Sequence, residues 1–109
     1  MKEKIDLVKL WIRKAENDLI NAKHSINIKP KPPLDTICFH AQQCAEKYLK
    51  AFLVFHDIEF EKIHDLGELV QLAMKVDISF TIKLLNWATN LLLTLLRLDT
   101  RMYWLKSQR

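Results

Sequence analysis

At 109 residues the chain is long enough to bury one hydrophobic core and too short for two domains, so residues 1–109 read as a single domain. Its net charge of +4 is small, which makes charge alone a weak argument for nucleic acid. The mixed-charge N-terminus has no signal-peptide core, and no run of apolar letters approaches the ~20 residues that span a bilayer. Cys38 and Cys44, six apart on one expected helix, are poorly placed to pair with each other. A soluble chain in a reducing cytoplasm, away from membranes, is the expectation.

One glycine, Gly67, and prolines confined to Pro30, Pro32 and Pro33 leave long stretches of good helix formers, so the fold class is all-α. The first helix spans about Glu3 to Ile26. Ile5, Val8, Ile12, Ala15, Leu19, Ala22 and Ile26 repeat at spacings of three and four and form its core stripe. The prolines then make a loop. A second helix runs from about Leu34 to His56, with Asp35 or Thr36 placed to cap its first turn. Leu34, Ile37, Ala41, Cys44, Ala45, Tyr48, Phe52 and Phe55 share its apolar face. Phe39, Leu53 and Val54 fall on the polar side, so this helix is expected to touch protein on more than one side.

After an acidic loop, Asp65-Leu66-Gly67-Glu68 has capping-box spacing and opens a short third helix that ends near Lys75. Asp77 or Ser79 can cap a long fourth helix, which holds most of the remaining apolar residues, including Ile82, Leu85, Ala88, Leu91, Leu92, Leu95 and Leu96. Four such helices with short connections make an antiparallel up-and-down bundle.

Two polar stripes are candidates for chemistry. On the fourth helix Lys83, Asn86, Asn90, Thr94, Arg97 and Arg101 align at spacings of three or four. Two guanidinium groups one turn apart suit a phosphate, because each gives parallel hydrogen bonds to an oxyanion. The same stripe also suits the solvent face of an amphipathic helix. On the second helix His40, Gln43 and Lys47 form another stripe, beside the i,i+4 pair Glu46 and Lys50. His64 and Asp65 start the third helix, where Asp65 is most simply a cap. His40 and Cys44 lack the further convergent ligands that structural zinc needs, so no metal is expected. A single glycine builds no phosphate-cradling loop, and no cofactor is expected beyond a possible nucleotide ligand. Trp87, Tyr103 and Trp104 are read as closing a core or an interface rather than stacking on bases.

The block Phe39-His40-Ala41-Gln42-Gln43-Cys44-Ala45-Glu46-Lys47-Tyr48-Leu49-Lys50-Ala51, followed by His64-Asp65-Leu66, resembles the signature of the HEPN family. Weaker resemblance extends from Trp11 through Leu19 at one end to Asp99 through Tyr103 at the other. These small helical domains are encoded beside, or fused to, minimal nucleotidyltransferases, and many are dimeric toxins that cut RNA. The resemblance implies a helical bundle, a homodimer through the second and fourth helices, a nucleotidyltransferase partner and a link to nucleotide or RNA.

Ribonuclease members carry an Arg followed after four to six residues by a His. Neither Arg97 nor Arg101 is followed by any His. The leading expectation is therefore a non-catalytic nucleotide- or partner-binding module of a toxin–antitoxin-like pair, without catalytic residues of its own. Arg97, Arg101, Asn90 and Lys83 would bind phosphate, with His40, Gln43 and Lys47 shaping the adjoining surface. Glu46, His64 and Asp65 belong to the signature. One alternative is a metal-independent endoribonuclease that uses Arg97 or Arg101 with His40 or His64. Another is a structural dimerisation module.

Overall fold

The computed structural model describes residues 2–60, 63 and 65–107, with side chains as far as Leu95. Four helices and, among the described residues, no strand make up the chain: α1 (Lys2–Ser25), α2 (Leu34–Phe55), α3 (Leu66–Val76) and α4 (Ile78–Ser107). The fold is an all-helical bundle in which the long helices run up, down and up. Ala22 and Ile26 of α1 meet Ile37 near the start of α2, and Leu95 of α4 joins the same cluster. At the other end of α2, Phe52 stacks on Phe80 near the start of α4, with centroids 4.4 Å apart. The short α3 packs Leu69 and Ala73 against Leu49 and Leu53, forming a second core cluster.

Local chemistry sets the helix ends. Pro33, in extended geometry, is the N-cap of α2 and provides no side-chain cap. Asp35 and Thr36 are exposed and do not cap, contrary to expectation; Asp35, in the first turn, contributes only through its charge near the helix N-terminus. α2 ends in a Schellman arrangement: Ile58 N–H donates to the Leu53 carbonyl at 2.9 Å and Asp57 N–H to the Val54 carbonyl at 3.0 Å. The turn requires a left-handed residue, and Asp57 supplies it with φ 60°. Asp65 caps α3, its Oδ1 accepting from Gly67 N–H at 3.2 Å. Asp77, rather than Ser79, caps α4 by accepting from Phe80 N–H at 3.0 Å.

Burial departs from the helical stripes in an informative way. Ala15, Ala22 and Ile26 are buried, but Ile5, at the other end of the same stripe, is exposed. On α4, Thr81 and Leu95 are buried while Ile82 faces solvent. Leu53 is fully buried against α3, whereas Phe39 on the same polar side of α2 is exposed. Leu96 falls among the residues whose side chains are not described. α1 and α4 therefore meet at only one end of the bundle and part at the other.

α4 also contains the 18-residue stretch Ile78–Leu95, with a mean hydropathy of 1.2, long and apolar enough by length and composition to cross a membrane. Lys83, Asn86 and Asn90 break the run of apolar letters and conceal it in the sequence. Little of this stretch is covered by the rest of the chain.

Candidate functional site

The apolar stripe of α1 carries a carboxylate. Asp18 sits one turn from the fully buried Ala15 and Ala22, whose small side chains let α2 approach closely, and it is itself buried. An unpaired carboxylate there would be costly, so it needs donors from the facing helix. His40 and Lys47, two turns apart on α2, supply them. His40 Nδ1 lies 2.8 Å from Asp18 Oδ1, and the Lys47 ammonium bonds Asp18 Oδ2. Because a carboxylate only accepts, Nδ1 of His40 carries the proton of this contact and Nε2 is left for another partner.

Cys44 lies between His40 and Lys47 on the same helix. Burial, reinforced by the Asp18 charge, pushes its thiol up to about 11, so it stays protonated near neutral pH and is a poor metal ligand.

The neighbouring polar groups are also turned inward. Gln43 Nε2 donates to Glu46 Oε2 at 3.1 Å, and Lys50 Nζ reaches Glu46 Oε1 at 3.2 Å. The Lys50 ammonium lies 5.1 Å from the Trp11 ring centre, with Lys14 at 4.9 Å from the same ring. The structure thus gathers His40, Gln43, Glu46 and Lys47, but engages each with a protein partner.

The stripe of α4 is placed elsewhere. Lys83, Asn86, Asn90 and Thr94 are exposed, and the Thr94 hydroxyl donates to the Asn90 carbonyl at 2.8 Å. α4 instead meets α2 through Tyr48 against Trp87 and Phe52 against Phe80. Among the described residues, no hydrogen bond, ion pair or ring contact joins the α4 stripe to His40 or Lys47. Arg97 and Arg101 lie within α4, but their side chains are outside the described residues, as are those of Tyr103 and Trp104; His64 is outside entirely. Asp65 is a cap.

Asp18 is the residue that sequence reading missed. Its signal was present: a carboxylate in register with Ala15 and Ala22, facing a helix that offers His and Lys two turns apart.

Where α1 and α4 part, Val8, Ile12, Tyr48, Phe52, Leu84 and Trp87 line an open, almost wholly apolar cleft of about 490 Å³. Trp87 packs edge-on against Tyr48, with centroids 5.7 Å apart.

Comparison with known proteins agrees with this architecture. The HEPN domain profile matches residues 8–101. A curated protein of Methanocaldococcus jannaschii, named "Putative toxin MJ1304", is 37% identical over 84 residues, covering 75% of this chain and 53% of that protein. The chain thus spans about half the length of that relative. No solved structure matches. With the profile covering most of the chain and the bundle all-helical, the chain belongs to the HEPN domain family.

Proposed function

We propose that this chain is the HEPN half of a toxin–antitoxin-type pair, a homodimeric, non-catalytic module that binds a separately encoded minimal nucleotidyltransferase and a nucleotide or RNA ligand. The observation that carries this reading is how the polar groups are used. His40 and Lys47 are both held by the buried Asp18 and so brace α1 on α2, while Gln43 is engaged by Glu46 within α2. The Arg and His spacing of the family's ribonuclease members is also not found after Arg97 or Arg101. After a gap of four to six residues, Arg97 is followed by Met102, Tyr103 or Trp104 and Arg101 by Lys106, Ser107 or Gln108, none of them His. The toxin name of the 37% identical relative supports the pair.

Arg97 and Arg101 would then serve as phosphate ligands, with Lys83 and Asn90 exposed on the same helix. Co-expression with the nucleotidyltransferase encoded nearest to it should give a complex that survives gel filtration. Recovery of the two proteins separately would contradict the pairing.

One observation favours a second reading. A carboxylate on Nδ1 of His40 is the layout that holds an imidazole ready to act as a base through Nε2. On that reading the chain is a metal-independent endoribonuclease, and RNA cleavage in chelator would be lost in both Asp18→Asn and His40→Ala.

A further inference from the structure

Half of the chain's ten aromatic side chains are gathered at the cleft between α1 and α4: Tyr48, Phe52 and Phe55 from α2, Phe80 and Trp87 from α4. Two pairs hold fixed geometry, Phe52 stacked on Phe80 and Tyr48 edge-on to Trp87. The rings are not closed off, because Phe55, Phe80 and Trp87 stay 50%, 39% and 40% exposed. Aromatic groups that serve only an internal core are covered, whereas an exposed apolar concavity marks a surface that binds something.

Size and polarity decide what it binds. The cleft follows α2 from Tyr48 to Phe55 and α4 from Phe80 to Trp87, about two turns or roughly 10 Å on each. Nine described residues line it, whereas a protein partner engages roughly 20–30 residues a side. Its volume of about 490 Å³ lies within the ~300–1,000 Å³ range of small-molecule sites. A nucleotide fits that volume but not the walls: the donors and acceptors around a base would lose water against carbon, with no partner to replace it. An aromatic ring system loses nothing there and makes stacked and edge-to-face contacts. Charge at the rim adds a second requirement. Lys83, one turn from both Phe80 and Trp87, is exposed and makes no hydrogen bond or ion pair among the described residues. Lys4 Nζ lies 5.4 Å from the Phe55 ring centre, and its ion pair with Asp57 is open to water. At the other end Glu16 faces Tyr48, where its charge helps burial to raise the hydroxyl. An anion is therefore favoured at the Phe55 and Phe80 end.

We propose that this cleft binds a planar aromatic carboxylate of about two fused rings, its rings against Phe55, Phe80 and Trp87 and its carboxylate at the rim beside Lys83. The site shares only Lys83 with the phosphate ligands proposed on α4, and it lies apart from the Asp18, His40 and Lys47 contact. It therefore stands or falls separately from the nucleotide-binding reading.

The test is calorimetric titration of 2-naphthoate into the full chain, beside its neutral isostere 2-naphthamide, decanoate and ATP. The expected result is one saturable site per chain that prefers 2-naphthoate to decanoate and for which ATP does not compete. Trp87→Ala should weaken 2-naphthoate about tenfold. Lys83→Glu, at an exposed position that leaves the fold intact, should weaken 2-naphthoate about fivefold or more and leave 2-naphthamide within about twofold. No saturable binding by the wild type, as when a second copy or another protein covers the cleft, would overturn the site, and so would binding that neither variant changes. Tighter binding of decanoate, or displacement by ATP, would overturn the aromatic class. Equal weakening of both naphthalenes by Lys83→Glu would overturn the place of the carboxylate.

Discussion

Replacing Asp18 by Asn removes the charge that holds His40 and Lys47 and strands an ammonium in a partly buried site. The cost should be about 2–3 kcal/mol, below that of breaking a fully buried pair because Lys47 keeps some access to water. Urea unfolding reads it as a lower midpoint with unchanged slope. An unchanged midpoint would remove Asp18 from its bracing role. Cys44 gives a second prediction at this scale. Its thiol is raised to about 11 and the Tyr48 hydroxyl is also raised, both chiefly by burial. A raised folded value means that ionisation favours the unfolded chain. The stability these groups contribute is therefore full below their ordinary values and falls as pH climbs through about 9 toward 11. A thiol reagent at pH 8 should modify Cys38, which is partly exposed, and reach Cys44 only on unfolding. Rapid reaction of both cysteines would contradict this.

Helix ends carry the next predictions. Asp57 adopts φ 60°, where a glycine is unstrained, while its ion pair with Lys4 is exposed and worth little. Asp57→Gly should therefore stabilise the chain, by about 0.5 kcal/mol after the pair is lost. Asp77 ends α3 and caps α4, so Asp77→Ala should cost about 1 kcal/mol. Both are read from thermal midpoints, and a stabilised Asp77→Ala would contradict the capping role. The four helices were legible in the sequence because three prolines, one glycine and the capping aspartates punctuate strong 3.6-residue periodicity. The start of α2 was less so: Asp35 and Thr36 look like caps, but Pro33 already has the extended geometry of the N-cap. Periodicity assigns a face without saying whether a neighbour covers it, and so Ile5 was placed on the core stripe although it is exposed.

At the scale of the whole molecule, the candidate site was only half legible. The sequence put His40, Gln43 and Lys47 on one stripe, and the structure keeps them there, but a stripe on one helix cannot reveal its acceptor on another. Asp18 is separated from Lys47 by 29 positions, and only packing brings them together. Because that contact engages the imidazole and the ammonium inside the protein, we propose a module that binds without cutting. The measurement that tests this most directly is incubation of a defined RNA with the purified chain in chelator, beside His40→Ala, with the products run on a denaturing gel. Intact RNA with both proteins is the predicted result. Fragments produced by the wild type and absent with His40→Ala would contradict it and make His40 catalytic.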